Sequence, residues 1–188
     1  MCAEDRNESI CVRRLRKRAL SVRAGLQLAA AGLVSVAVSC THVTSAPAES
    51  RTNVVIIDDA SRGVGLERFH FIGRWERVRG REDGRWGGTS TRSPHFGSSV
   101  SAAIKGYRFR LYGVTGPNGG IGRLGLDEHT KFAMLDFYSA RKRTHVLLYT
   151  SPILAQGLHA IAVSVNGTHD RRSRGTYVNI DSLAVDSH

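Results

Sequence analysis

Cysteine is absent from most of this sequence. Of its 188 residues only Cys2, Cys11 and Cys40 are cysteines, so positions 41–188 contain none. That part of the chain can therefore form neither a disulfide bond nor a thiolate metal site. Proline is also scarce, with four residues, whereas glycine is abundant, with 20. This composition is typical of a globular protein with many tight turns.

The common hydrolase motifs are missing as well. The sequence has no G-x-S-x-G elbow and no H-E-x-x-H pair. Asp127 and Glu128 are adjacent, and neighbours on a strand point to opposite faces, so they do not suit the paired carboxylates of a glycosidase. The eight histidines are scattered, and we expect His159 to bond a loop carbonyl rather than a metal. The sequence therefore predicts a protein that is not an enzyme.

The net charge is strongly positive, at +11. Such a surface favours anionic partners, namely nucleic acid, anionic lipid or acidic polysaccharide. The basic runs 77–85, 141–143 and 171–174 fall in separate predicted turns without interleaved aromatic residues. Because nucleic-acid sites favour such charge with interleaved aromatics in one groove, and an exported protein meets little nucleic acid, we expect no nucleic-acid partner. The runs are interpreted as solvated loops, with an anionic envelope polymer or lipid headgroups as the alternative.

The first forty residues have the pattern of an export signal. Arg13–Arg23 is basic, Ala24–Val38 is small and apolar, and Cys40 follows directly after "AVS". The apolar run is shorter than the roughly 20 residues that span a bilayer. The pattern resembles a bacterial lipoprotein signal, which implies lipidation at Cys40 and anchoring on the outer face of the cytoplasmic membrane. Cleavage near positions 46–48 with secretion, or an uncleaved signal anchor, are the alternatives. Positions 41–53 are predicted to be a polar tether.

The rest of the chain alternates with period two and lacks a helical period. Between Tyr107 and Tyr112, for example, aromatic and aliphatic residues alternate with Arg108 and Arg110. Similar segments recur about every ten residues, between glycine-rich turns. We therefore predict one all-β domain over 54–188, an antiparallel β-sandwich (jelly roll) of about nine strands. Positions 68–78 are interpreted as one strand and 88–99 as a polar loop.

Several phrases together resemble one known group of domains. They are Trp75 and Trp86, "GYRFRLYGVTGPNGG", "LDFY", "LAQGLHAIAVSVNGT" and "GTYVNIDSLAV". Between about Val54 and Val185 the chain resembles the galactose-binding-like, carbohydrate-binding-module-like β-sandwiches of secreted bacterial proteins. The resemblance implies a non-catalytic module that binds carbohydrate or a cell-envelope glycan. One alternative is a structural or protein-interaction module of the envelope. A further alternative is an esterase or glycosidase with its own activity.

Seven residues are candidates for ligand contact. Indole and phenol rings can stack on sugars, and arginine can bond carboxylate or sulfate in a bidentate manner. The alternatives are core packing for Trp75, a solvated sheet face for the arginines, and a structural hydrogen bond for Asp136. The full set is Trp75, Trp86, Arg108, Arg110, Tyr112, Asp136 and Tyr138.

Three aspartates are candidates for a structural calcium ion, which many members of the resembling group carry. In that sandwich class the first and last strands lie close together, so Asp58 and Asp59 are expected to meet Asp181. Calcium prefers carboxylate and carbonyl oxygens, as these residues offer. The alternatives are a strand-ending turn for Asp58 and Asp59, and a hydrogen-bonded residue at a bulge for Asp181.

Overall fold

The computed structural model describes residues 52–80, 83–127 and 132–188. The predicted export signal, the predicted lipidation site Cys40 and nearly all of the predicted tether lie outside these residues. None of the described segments forms a helix that is both long enough and apolar enough to cross a membrane.

The described residues fold into two antiparallel sheets. Eleven strands follow one another in the chain: β1 (Asn53–Asp58), β2 (Phe69–Ile72), β3 (Glu76–Arg79), β4 (Thr89–Ser93), β5 (Ser99–Gly106), β6 (Arg108–Thr115), β7 (Ile121–Leu126), β8 (Phe132–Asp136), β9 (Arg143–Thr150), β10 (Gly157–Val165) and β11 (Val178–Ser187). The first sheet has the order β3-β4-β11-β6-β9, with β1 also paired to β11. The second has the order β2-β5-β10-β7-β8. The predicted all-β antiparallel sandwich is confirmed.

Two strands were not foreseen. The predicted single strand 68–78 is wrong, because β2 belongs to the second sheet and β3 to the first. The chain crosses between the sheets at Gly73, whose φ of 91° favours glycine. The predicted loop 88–99 contains β4, which pairs with β3 and β11. Its buried side chains are serines and threonines, so the apolar alternation that marks other strands is missing here.

The core lies between the two sheets. Along β6 the predicted alternation is confirmed, since Phe109 and Leu111 are buried while Arg108 is exposed. Fully burying one such side chain contributes about 1.5–3 kcal/mol. The opposite sheet supplies the facing apolar residues, among them Val100, Ile104, Leu124, Ile161 and Val163.

Strand β11 brings the two ends of the domain together. It pairs with β4 through Val178–Ile180 and with β1 through Ser182–Ser187, while β6 occupies its other side. Strands β1 and β4 therefore follow one another along the same edge of β11. They meet beside Asp181, where the pairing with β6 is irregular between Ile180 and Ser182.

Candidate functional site

The three acidic residues predicted to meet do lie together at this junction. The Asp59 N–H donates a 3.0 Å hydrogen bond to the Asp181 carbonyl, and Asp58 pairs with Ser182. The side chains of Asp59 and Asp181 are fully buried. Burial, together with the hydrogen bond and charge of Asp59, raises the pKa of Asp58 to about 6. Burial also raises the pKa of Asp181.

Asp59 is buried and bound by hydroxyl groups. The hydroxyl groups of Thr89 and Thr91 each donate to one of its carboxylate oxygens at 2.5 Å. Arg62 and Arg77 each bring a guanidinium nitrogen to 4.0 Å from the same carboxylate. Because the threonines belong to β4, these bonds tie the end of β1 to the start of β4. They also explain why β4 buries hydroxyl groups instead of apolar side chains.

Asp181 positions two aromatic residues. Its Oδ1 accepts a 3.0 Å hydrogen bond from the backbone N–H of Trp86. Its Oδ2 lies 2.8 Å from Nδ1 of His145. The aspartate inside the last strand therefore orients a loop residue on one side and a β9 residue on the other.

The present arrangement of these acids does not fit a calcium ion. Calcium takes six to eight oxygen ligands. Both carboxylate oxygens of Asp59 and both of Asp181 already accept hydrogen bonds from the protein. Only Asp58 keeps a buried oxygen, Oδ1, without a partner among the described residues. Within those residues no group of three or more His, Cys, Asp or Glu side chains is arranged to hold a metal. Calcium binding thus stays a prediction that would require this network to open.

Trp86, His145 and Tyr112 form what we call the aromatic ledge. The rings of His145 and Tyr112 stack with centroids 4.4 Å apart and 2° between their planes. The Trp86 ring stacks on His145 at 6.1 Å and 26°. Trp86 remains 44% exposed, so one of the largest aromatic surfaces of the domain faces solvent. Two of the predicted ligand residues are thus brought together by a histidine that the sequence did not single out.

The loop that carries Trp86 is anchored at several points. The Thr144 hydroxyl donates to the carbonyl of Asp83, and Lys142 bonds the Asp83 carboxylate at 2.8 Å. Gly87 has a φ of 59° and packs against the Asp58 carboxylate, where a Cβ atom would collide with it. These contacts hold Asp83 and Gly87, on either side of Trp86, against the rest of the domain, so the ledge is preformed.

The predicted arginines lie on the same sheet face as Tyr112. Arg110 forms an ion pair with Asp186 of β11, so its charge is already partnered. Arg108 is exposed at the start of β6. The face is therefore less free to bind an anion than the sequence pattern indicates.

Trp75 lies away from the ledge. It is partly buried against the core and meets Phe71 edge-on at 5.2 Å. Its indole N–H donates to the Ile72 carbonyl at 3.0 Å. These contacts agree with the core-packing alternative for Trp75.

The remaining candidates sit on the second sheet. At the end of β8, Asp136 accepts a 2.8 Å hydrogen bond from the backbone N–H of Tyr138, as the structural alternative expects. Arg172 lies over the Tyr138 ring at 4.8 Å. His159 bonds the loop carbonyl of Ala155 at 2.8 Å, as predicted, and also Asp127 at 2.9 Å.

His145 is the main residue that the sequence could not identify. Its partner Asp181 is 36 positions away, and the spacing matches no metal or catalytic motif. Its φ of 50° is unusual for a residue other than glycine. Only the pairing of β9 and β11 with β6 places it between an acid and two aromatic rings.

Comparison with known proteins shows the fold. No family model matches the chain, and no curated protein matches it. A two-domain esterase active on acetylated mannans is similar with a TM-score of 0.52 and 13% identity, over 77% of this chain and 39% of that one.

Two further structures are similar at lower scores. A family two carbohydrate esterase from Cellvibrio japonicus has a TM-score of 0.46 and 18% identity, over 73% of this chain and 34% of that one. The CBM36-1 domain of a multidomain xylanase from the hindgut metagenome of Trinervitermes trinervoides has a TM-score of 0.44 and 16% identity. The match covers 72% of this chain and 98% of that domain. The chain thus spans less than half the length of either esterase. At these identities the likeness to the mannan esterase supports the β-sandwich fold and nothing finer.

Proposed function

We propose that this domain is a non-catalytic module that binds carbohydrate on the aromatic ledge. One observation carries the proposal: the half-exposed Trp86 indole stacks on His145, while Asp181 binds both the Trp86 backbone N–H and the His145 ring. An exposed aromatic face suits the apolar face of a sugar ring. Because the Trp86 backbone and the His145 ring are already held by Asp181, little conformational entropy of these residues is lost when a ligand binds.

The ledge also offers polar groups beside the indole. His145 uses Nδ1 for Asp181, which leaves Nε2 directed to no described hydrogen-bond partner. The Tyr112 hydroxyl lies on the adjoining ring. Sugar recognition commonly combines an aromatic surface with a few such polar groups.

A hydrolase is the competing hypothesis, because His145 and Asp181 make a histidine–carboxylate pair. A histidine base of this kind needs a nucleophile within hydrogen-bond reach. Among the described residues no serine or threonine hydroxyl is hydrogen-bonded to His145. Turnover of generic ester or glycoside substrates that is lost in Asp181→Asn would favour the hydrolase over the binding module.

We further propose that the protein is exported and lipid-anchored at Cys40, so that its ligand is a glycan or anionic polymer of the cell envelope. The support is the sequence of positions 1–40. Membrane fractionation of cells expressing wild type or Cys40→Ala tests the anchor. Release of the variant into the soluble fraction is expected, and equal membrane retention of both proteins would contradict it.

The binding function is tested with the full-length protein on a panel of neutral and acidic polysaccharides. We expect Trp86→Ala to weaken binding about tenfold or more, because it removes a central aromatic contact. Phe96→Ala is the matched control, since Phe96 is an aromatic residue that is 80% exposed and lies outside the ledge. If wild type binds no glycan, or if both variants lose affinity equally, the proposal is wrong. A structural or protein-interaction module would then be the better hypothesis.

A further inference from the structure

A cavity of about 280 Å³ opens behind the loop that carries the ledge. Arg85, the residue before Trp86, is one of its lining residues, so the ledge and the cavity share one short segment of backbone. The turn 114–119 after β6 and the residues Lys142 and Asn179 close its other sides. Its volume lies just below the roughly 300–1,000 Å³ of small-molecule sites, which suits a single sugar ring.

Arg85 is buried but has few partners. Its side chain is only 2% exposed. Nε and Nη1 have no hydrogen-bond partner among the described residues, and Nη2 lies 3.3 Å from the Asp83 carboxylate. That carboxylate is shared with Lys142 at 2.8 Å. Because buried guanidinium groups are normally hydrogen-bonded, these donors mark a place for an acceptor that the described residues do not supply.

The charge around the cavity is positive. Arg85, Arg92 and Lys142 line it, and no carboxylate among the described residues does. Asp83 and Glu76 are the acidic partners of these three cations, so one positive charge is left over. This balance favours an anionic ligand over a neutral one.

The other walls of the cavity supply apolar surface, an aromatic ring and a hydrogen-bond acceptor as well as positive charge. Val78, Val114 and Pro117 contribute apolar surface. The Tyr177 ring is held beneath the guanidinium of Arg92 at 4.7 Å. Asn179 places a buried Oδ1 there without a partner among the described residues, so it can accept a hydrogen bond from a hydroxyl group.

We infer that this cavity binds an acidic sugar unit, with its carboxylate or sulfate group on Arg85 and a ring hydroxyl on Asn179. A neutral sugar would offer the Arg85 guanidinium no negative charge. An inorganic anion would use neither the apolar walls nor the Asn179 acceptor. The inference rests on the proposed function and narrows its ligand class, because an acidic glycan lying on the ledge would insert one residue into the cavity.

Binding of monosaccharides and polymers to the full-length protein tests this inference. The probes are glucuronate, galacturonate and glucose 6-sulfate against glucose and galactose, and acidic polysaccharides against their carboxyl-reduced or desulfated products. We expect the acidic member of at least one pair to bind about tenfold more tightly or better, the strength of a charge-assisted hydrogen bond. Comparing the uronates with glucose 6-sulfate shows whether the cavity prefers a carboxylate or a sulfate group.

Two variants separate the cavity from general surface charge. Arg85→Gln is expected to abolish the preference for the acidic member, and Lys142→Gln, at an exposed site that leaves the core intact, to reduce it. Arg172→Gln is the matched control, because it removes the same charge from a loop residue whose side chain is 63% exposed. Thermal melts confirm that each variant is folded.

The outcomes are distinct. Equal wild-type affinity for neutral and acidic members overturns the acidic-sugar inference and leaves the proposed function standing. Equal losses in Arg85→Gln and Arg172→Gln overturn it too, because the preference then comes from net charge alone. Failure of wild type to bind any glycan overturns the proposed function itself.

Discussion

Replacing Asp58 by asparagine is expected to stabilise the protein at neutral pH. Asp58 shares the β1–β4 junction with Asp59 and Asp181, and its pKa is raised to about 6 by burial and by Asp59. An amide of the same shape removes one negative charge from this cluster. It can also donate to a neighbouring carboxylate, which the ionised Asp58 cannot do.

The magnitude follows from the pKa. The folded value lies about two pH units above the ordinary value of 3.8, which corresponds to about 3 kcal/mol in favour of the neutral form. Because the Asp58 side chain is partly exposed, solvent screening reduces this to roughly 1–2 kcal/mol. For a domain of this size such a gain raises Tm by about 3–8 °C.

The sign of the pH dependence is fixed by proton binding. Between pH 3.8 and about 6 the native state holds a proton on Asp58 that the unfolded state has released. Stability therefore falls as pH rises through this window, and the loss is complete above it. Asp58→Asn lacks this loss, so its advantage over wild type should be largest near pH 7.5 and small near pH 4.

The assay is urea unfolding of both proteins at about pH 4.5 and pH 7.5, in buffer with a chelator so that no divalent cation neutralises the cluster. Asp136→Asn is the control, because Asp136 is exposed on the other sheet and should change stability by less than about 0.5 kcal/mol at either pH. A variant that is less stable than wild type at pH 7.5, or a difference that does not grow with pH, would refute the reasoning.

Three further predictions concern the aspartate network and His159 on the second sheet. Asp59→Ala is expected to lower stability by about 3–5 kcal/mol, because it leaves two buried threonine hydroxyls and nearby arginines without their anion; a loss under about 1 kcal/mol on urea unfolding would contradict this. The Ala155 carbonyl and Asp127 raise the pKa of His159 against the opposing effect of burial. The stability that His159 contributes is therefore present below about pH 6.5 and lost as pH rises through the folded pKa, so the Tm gap between wild type and His159→Gln should shrink from about pH 5.5 to pH 8.5. If calcium opens the aspartate network and binds there, millimolar CaCl₂ should raise the Tm of wild type and not of Asp181→Asn; an identical Tm in calcium and in chelator would remove the metal hypothesis.

Much of the sandwich was predictable because its strands bury alternate apolar residues. The pattern in β6 and β10 gave their positions and inward faces, whereas β11 is buried along nearly its whole length. Strand β4 was missed because its buried side chains are hydroxyls, two of which, on Thr89 and Thr91, bond Asp59 at least 30 positions earlier. Gly73 was placed inside a single predicted strand, because nothing local shows that the chain changes sheets there.

The candidate site was only partly predictable. Asp58, Asp59 and Asp181 were expected to meet, and they do, because the first strand pairs with the last. Their oxygens, however, are used by Thr89, Thr91 and other protein groups that no short-range pattern reveals. Trp86 and Tyr112 were named separately, and their common neighbour His145 was not.

The sequence by itself determined the class of fold, the absence of thiol chemistry after Cys40 and the acidic pair at the end of β1. Those properties depend on composition and on the alternation of apolar and polar residues, which is visible within a single strand. The tertiary structure alone decided that Arg85 is buried with free donors, that His145 joins two aromatic rings, and that Asp181 orients both sides of the ledge. Each of these depends on residues brought together from distant strands, where hydrogen bonding and burial are set by the whole sandwich.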